Sequence, residues 1–222
     1  MKNIYEIHPQ KIYTANIDKD ESFHLETLND AICTMNQEEP TLTYSADEVE
    51  TVRKEYTSHQ KRYWVDSPTY SREFNNPAFK EIFDFINKCT NEYLEELQVD
   101  LDVYQVKMTS AYLNRCDMEG TTGPHNHQGA FISYSYYFNL SGEVQPLMFG
   151  NPTQNDGHFF PFELCTKRIE WQFVPAVGEV ILFPSYLFHK VPPEKPNGER
   201  WLFNGDFHIF SDAQPNLPNI IT

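Results

Sequence analysis

The sequence predicts a mainly β protein in which N-terminal helices support an antiparallel barrel or sandwich. Apolar residues recur at helical spacing in the first 100 residues. From about residue 103 the chain changes to short segments rich in β-branched and aromatic residues, separated by Gly, Pro, Asn and Asp. No second long helical pattern lies among these segments, so a parallel βαβ sheet is not expected.

Three helices are predicted, over residues 22–36, 45–60 and 77–97. Ser45 is a candidate N-cap for the second, and Asn76 followed by Pro77 suits the start of the third. The third helix has the clearest apolar stripe, formed by Phe79, Ile82, Phe83, Ile86, Cys89, Tyr93 and Leu97. We expect this stripe to pack on an outer face of the barrel.

The predicted strands are short and follow one another closely. They cover residues 103–114, 131–140, 145–149, 169–174, 178–183, 187–191 and 199–210. A chain of 222 residues is expected to form a single domain. Residues 1–100 would be its helical support layer, and residues 101–212 its β core.

The charge of the chain argues against nucleic acid as a major partner. The formal net charge of −15 would repel a phosphate backbone. One stretch is locally basic, with Arg53, Lys54, Lys61 and Arg62, and we interpret it as a solvated helix face. The partner expected instead is a small-molecule or peptide substrate, and the oligomeric state is left open.

Targeting signals and cysteine pairs are also missing from the sequence. No window reaches the roughly 18 apolar residues of a membrane span, and MKNIYEIHPQ lacks the apolar core of a signal peptide. We therefore expect a cytoplasmic protein without membrane contact. The cysteines are widely spaced without a CxxC pair, so buried free thiols are predicted at Cys33, Cys89, Cys116 and Cys165.

The residues that carry chemistry are three histidines. His125 and His127 stand two apart, after a Gly/Pro turn and before a strand, so an extended chain points both to one side. His189 follows the apolar strand and Pro-Ser turn of GEVILFPSYLFHK, where a returning strand would bring it opposite the pair. Three imidazoles can hold one face of an octahedral metal and leave positions open for catalysis. The sequence therefore predicts a metal site, with iron(II) as the expected metal.

Other residues compete for roles at this site. Asp117 or Glu119 is an alternative source of a carboxylate ligand, although both lie in a predicted loop. His158 and His208 are interpreted as an exposed loop residue and as a hydrogen-bonding neighbour, respectively. No general base or nucleophile beyond the metal centre is predicted.

Arg200 is the second residue that points to a functional site. It begins a strand in which alternate residues share one face, and these are Arg200, Leu202, Asn204, Asp206 and His208. A buried Arg requires an anionic partner, and its planar fork matches a carboxylate. That carboxylate belongs either to a ligand or to a protein acid such as Asp206 or Glu199.

The sequence contains, in this order, the motifs HxH, SYSYYFNL, FPSxxxH and RxxxN. With them it resembles the 2-oxoglutarate- and iron(II)-dependent dioxygenases, over about residues 108–210. The resemblance is strongest to an uncharacterised branch with HxH, and it includes prolyl-hydroxylase-like features. It implies a double-stranded β-helix, a distorted jelly roll. It also implies Fe(II) as metal, 2-oxoglutarate as cosubstrate and O2 as oxidant.

The resemblance assigns roles to individual residues. His125 and His189 match the metal histidines, and Arg200 matches the basic residue that binds the far carboxylate of 2-oxoglutarate. Tyr137 matches a strand tyrosine that binds the same carboxylate, and Asn114 lies near a polar position of the cosubstrate site, with Tyr112 as its competitor. The implied reaction decarboxylates 2-oxoglutarate to succinate and hydroxylates a C–H bond.

His127 departs from the commoner pattern, which has Asp at this position. A ligand set of neutral imidazoles leaves the metal more positively charged. Two other functions therefore stay open. One is a three-histidine cupin dioxygenase that does not use 2-oxoglutarate, although the acidic residue expected after HxH is replaced by Gly129, Ala130, Phe131 and Ile132. The other is a non-catalytic metal-binding barrel.

Overall fold

The structure is a computed structural model and describes residues 10–35, 61–65, 77–117, 120–150 and 171–211. Its helices are α1 (Glu21–Met35) and α2 (Pro77–Glu96). Its strands are β1 (Tyr13–Asn16), β2 (Lys61–Val65), β3 (Tyr104–Asp117), β4 (Thr122–His125), β5 (Ile132–Ser141), β6 (Leu147–Phe149), β7 (Trp171–Phe173), β8 (Glu179–Pro184), β9 (His189–Val191) and β10 (Glu199–Ser211). The predicted helix over residues 45–60 lies outside the described residues.

The strands form two antiparallel sheets. The larger has six strands in the order β1-β8-β5-β10-β3-β2, and the smaller has four in the order β4-β9-β6-β7. Strand β10 is central, because it pairs with β3 on one side and with β5 on the other along most of its length. A mainly β, antiparallel architecture with helices is thus confirmed.

Each face of the large sheet carries a hydrophobic core. Strand β5 shows the division, because Tyr136 and Phe138 pack in the helix-side core while Tyr137 packs in the other. The second core joins the two sheets through Tyr137, Leu147, Phe149, Phe173, Ile181, Phe183, Leu187, Val191 and Leu202. Alternation along a strand therefore separates a structural face from the face that encloses the barrel interior.

The helices cover the outer face of the large sheet, as predicted. Helix α2 buries its apolar stripe, with Ile82 and Ile86 fully buried in the core that includes Phe138 and Phe203 of the sheet. Helix α1 begins where the Asp20 carboxylate accepts the Phe23 N–H at 2.9 Å, an N-cap that the sequence prediction missed.

The prediction that the first 100 residues are mainly helical was incomplete. Strand β1 pairs with β8, and β2 pairs with β3, so both extend the large sheet at its edges. Lys61 and Arg62 of the basic stretch accordingly lie in a strand, whereas a helix face was expected; Arg53 and Lys54 lie outside the described residues. Four- and five-residue edge strands carry too little alternation to be recognised.

The turn predicted before His125 is also a strand. Residues Thr122–His125 form β4 at the edge of the smaller sheet, where Pro124 is tolerated because one side of an edge strand needs no donor. In the described residues, no helix is long and apolar enough to cross a membrane. Cys89 and Cys116 are buried as predicted and form no disulfide in the described part of the chain, while Cys165 and the side chain of Cys33 lie outside that part.

Candidate metal centre

Three histidines meet where the smaller sheet faces the barrel interior. His125 ends β4 and His189 begins β9, and the two are direct partners in the ladder between these strands. His127 follows in the next turn, where its backbone N–H donates to the Ser185 carbonyl at 2.9 Å. One ring nitrogen of each histidine lies within 4.8 Å of the others. The structure therefore brings together the three residues that the sequence singled out.

The hydrogen bonds of the rings fix which nitrogen is available. Nδ1 of His125 faces the Gly123 carbonyl and Nδ1 of His189 faces the Leu187 carbonyl, both at 2.9 Å. Nδ1 of His127 faces Oδ1 of Asp206 at 2.6 Å. Because carbonyl and carboxylate oxygens only accept, each Nδ1 carries the proton and each Nε2 keeps its lone pair.

The spacing of the Nε2 atoms suits a metal. Nε2 of His127 lies 3.2 Å from Nε2 of His125, with no proton on either to make a hydrogen bond. Two nitrogens on adjacent positions of a six-coordinate metal, each about 2.1 Å from it, would lie about 3.0 Å apart. Burial, reinforced by the neighbouring His125, lowers the pKa of His189 to about 3, so this ring is neutral and able to coordinate.

A cavity of about 50 Å³ adjoins the histidines. Its wall includes the inward faces of three neighbouring strands, which are in register. Across β3, β10 and β5 the lining rows are Tyr112–Asn204–Ser135 and Asn114–Leu202–Tyr137, and the adjacent row Ser110–Asp206–Ser133 does not line the cavity. Arg200 follows at the far end of the face, beside Cys116. The wall thus runs from the three imidazoles to a buried guanidinium.

Arg200 has a protein partner other than those expected. Its side chain is 3% exposed, and Nε lies 3.2 Å from Oε1 of Glu194, which is 0% exposed. These atoms form an ion pair but not an aligned hydrogen bond, since neither has a hydrogen-bond partner in the described part of the chain. Glu194 also accepts the Gln145 N–H at 2.8 Å. A protein acid was one of the two partners expected for Arg200, but the acid is neither of those named, because Glu199 pairs with Arg115 and Asp206 pairs with His127.

The other two predicted cosubstrate residues also line the cavity. Tyr137 is buried, and burial raises the pKa of its phenol to about 12 despite the opposing effect of Arg200. Asn114 is fully buried, and neither its amide nitrogen nor its amide oxygen has a hydrogen-bond partner among the described residues. A buried amide without partners is costly, so its position on the wall suits a polar ligand.

The contacts that two further residues make at the site were not predicted from the sequence. Asp206 was placed on the inward face by strand alternation, but its contact with His127 depends on a turn that alternation does not describe. Glu194 lies in the loop of VPPEKPNGER, and no sequence pattern indicated that it would be buried. Tertiary folding alone brings both to the site.

Among the described residues, no competing candidate ligand lies in the histidine cluster. His208 interacts through Nδ1 with the Thr109 hydroxyl at 2.5 Å, and it is not among the clustered histidines. His158, Glu119 and the side chain of Asp117 lie outside the described residues.

Comparison with known proteins identifies a family. A model of the family described as "Putative 2OG-Fe(II) oxygenase" matches residues 110–206. A search of curated proteins found no match.

Similar solved structures share the fold at low sequence identity. A prolyl-4-hydroxylase from Pseudomonas putida is 12% identical, with a TM-score of 0.59 over 90% of this chain and 92% of that one. A prolyl hydroxylase from Trichoplax adhaerens, in complex with a hypoxia inducible factor peptide fragment, is 13% identical, with a TM-score of 0.57 over 88% and 83%. The non-heme alpha-ketoglutarate-dependent epimerase SnoN, from nogalamycin biosynthesis, is 12% identical, with a TM-score of 0.60 over 96% and 85%.

These comparisons confirm the resemblance and the double-stranded β-helix predicted from the sequence. Fe(II), 2-oxoglutarate and O2 are the cofactor and cosubstrates that the matched family implies.

Proposed function

We propose, from the premise that the barrel of this chain is that of a 2OG-Fe(II) oxygenase, that the protein couples decarboxylation of 2-oxoglutarate to oxidation of a second substrate. The reaction proposed is hydroxylation. His125, His127 and His189 would hold the metal, and Arg200, Tyr137 and Asn114 would bind the cosubstrate.

One observation carries this proposal. A single cavity contains three imidazoles whose Nε2 atoms lie close together, a buried guanidinium and a buried amide that has no hydrogen-bond partner among the described residues. The imidazoles suit Fe(II), and the guanidinium and amide suit the carboxylate of a dicarboxylic acid. The donor set therefore fits both members of the implied pair.

The chain would supply binding and orientation. Bound Fe(II) and 2-oxoglutarate supply the oxidising chemistry with O2, whereas the protein contributes ligand geometry and a water-poor pocket. The guanidinium of Arg200 would bind the far carboxylate, and the Asn114 amide would find its missing partner there. The Tyr137 hydroxyl, protonated at neutral pH, would donate to the same carboxylate.

The cupin alternative explains less of the cavity. A three-histidine dioxygenase that needs no 2-oxoglutarate leaves Arg200 with only its contact to Glu194, and it leaves the Asn114 amide without a hydrogen-bond partner among the described residues. The buried amide would then be a cost without a function. A non-catalytic metal-binding barrel leaves this amide unexplained in the same way.

The substrate class is proposed by analogy with the similar structures. Two of them are prolyl hydroxylases, and one of these is described in complex with a peptide. A peptide or amino acid is therefore the first substrate class to test, followed by other small molecules.

The test is succinate formation by the full chain with Fe(II), 2-oxoglutarate and air, with and without proline-containing peptides. His189→Ala should abolish succinate, whereas the matched variant His208→Ala, outside the cluster, should retain it. Oxygen uptake that needs Fe(II) but not 2-oxoglutarate would favour the cupin alternative. Metal binding without oxygen uptake would favour the non-catalytic barrel.

A further inference from the structure

Asp206 differs from the backbone carbonyls that face Nδ1 of the other two imidazoles. His125 and His189 are each held by a neutral backbone carbonyl two residues upstream in their own strand or turn. His127 is held by a carboxylate from β10, with 2.6 Å between Nδ1 and Oδ1. A charged acceptor at this distance makes a stronger hydrogen bond than a carbonyl does. The ring at the unusual HxH position is thus the one bound to an anion.

The surroundings of Asp206 hold its carboxylate toward that ring. Oδ1 accepts the Ser133 hydroxyl at 2.6 Å, and Oδ2 accepts the Ser110 hydroxyl at 3.2 Å. The Asp206 backbone N–H donates to the Ser110 hydroxyl oxygen at 3.0 Å. The side chain is only 17% exposed. These contacts fix the carboxylate where it can reach Nδ1 of His127.

Asp206 is placed to act through the ring and not as a ligand itself. Its carboxylate meets Nδ1, whereas Nε2 on the other side of the same ring points toward the shared position near His125. The cluster of candidate ligand atoms accordingly contains the three histidines without Asp206.

We infer that Asp206 supplies, through His127, the negative charge that a carboxylate ligand would otherwise place on the metal. Two histidines and an aspartate carry one negative charge, whereas three neutral imidazoles carry none. The hydrogen-bonded pair of His127 and Asp206 restores that charge one residue farther out. A carboxylate on the far nitrogen of a ligating imidazole raises its basicity and fixes its orientation. Asp206 is therefore a positioning residue of the metal centre, an inference that rests on the metal-binding part of the proposed function.

The first test is Fe(II) affinity, measured anaerobically by calorimetry on the full chain. Asp206→Asn keeps the size of the side chain but removes its charge, and we expect it to weaken binding about 10- to 100-fold. The matched variant Glu199→Gln removes a carboxylate from the same strand, where it pairs with Arg115, and should change affinity less than about 3-fold. Equal affinity of Asp206→Asn and the natural protein would overturn the inference.

The second test asks whether the effect passes through the ring. His127→Asp places a carboxylate directly at the ligand position and removes the ring N–H that donates a hydrogen bond to Asp206. In that background Asp206→Asn should change Fe(II) affinity less than about 3-fold, because the coupled contact is gone. The same 10- to 100-fold loss in both backgrounds would mean that Asp206 acts through space, and would overturn the inference.

A spectroscopic reading separates this role from a purely structural one. With Zn(II) as a diamagnetic probe, the natural protein should show a strongly deshielded Nδ1 proton from His127 in its proton NMR spectrum. Asp206→Asn should lose this resonance while the resonances of His125 and His189 remain. Its persistence in Asp206→Asn would contradict the proposed contact. If the Fe(II) affinities and the NMR spectra are as expected but succinate never forms, the proposed function fails and this inference stands.

Discussion

Nε of Arg200 and Oε1 of Glu194 lie 3.2 Å apart in a pair of side chains that are only 3% and 0% exposed. The cavity therefore pairs its cation with an internal anion, and the guanidinium must serve two carboxylates when a dicarboxylic acid binds. Burial raises the pKa of Glu194, while Arg200 opposes that shift.

Removing one member of this pair should cost much stability. Arg200→Met leaves the Glu194 carboxylate buried without its cation, and we expect a loss of about 3–5 kcal/mol in the free energy of unfolding. Urea denaturation at neutral pH measures it. The double variant Arg200→Met with Glu194→Met should lose clearly less free energy of unfolding than the two single variants lose together. Additive losses would show that the two side chains are not energetically coupled.

Replacing Asn114 should raise the stability of the protein and weaken its binding of 2-oxoglutarate. Replacing it with Leu removes two unpartnered polar atoms from the interior, so the free energy of unfolding without ligands should rise by about 1 kcal/mol. The same change should weaken 2-oxoglutarate binding at least about 10-fold, a loss of roughly 1.4 kcal/mol. Denaturation and calorimetry give the two values. Lower stability with unchanged cosubstrate affinity would place Asn114 in the structural core alone.

Gly205 allows β10 to approach its neighbours closely. A Cβ there would lie 2.0 Å from the Ser110 carbonyl oxygen, so we expect Gly205→Ala to cost about 3 kcal/mol of stability or more. At Gly129 a Cβ would meet nothing within 4 Å, although φ is +88°. Gly129→Ala should therefore cost about 1–2 kcal/mol, from backbone strain alone. Equal thermal shifts for the two variants would contradict this account.

His24 should make stability depend on pH. Burial lowers its pKa, so the folded state takes up a proton less readily than the unfolded chain. As the pH falls below about 6.5, the unfolded state is favoured, and stability decreases by up to about 1.4 kcal/mol per pH unit. His24→Gln should flatten this part of the profile in urea denaturation between pH 7 and pH 5. An unchanged slope would show that other groups cause the pH dependence.

The sequence predicted those parts of the fold and site that depend on local patterns. The i, i+2 spacing of His125 and His127 and the strand before His189 indicated that the three imidazoles would meet, and they do. His127 reaches the cluster from the turn after β4 and not from the extended strand that was expected. The stripe of α2 likewise indicated a helix that covers the sheet.

Long-range contacts were beyond such patterns. The buried partner of Arg200 is Glu194, from a loop with no periodicity, and the carboxylate on His127 comes from β10, 79 residues away. Strands β1 and β2 were missed because short edge strands are fixed by their neighbours in the sheet and not by their own alternation.

The most direct test of the metal and cosubstrate site is anaerobic titration of the full chain with Fe(II), followed by 2-oxoglutarate, while the visible absorption is recorded. The proposed site should give a metal-to-ligand charge-transfer band that appears only when both are present. The band should be absent from His189→Ala and should need much more 2-oxoglutarate in Arg200→Lys, which keeps the charge but loses the planar fork. No band in the natural protein, or the same titration curve in Arg200→Lys, would contradict it.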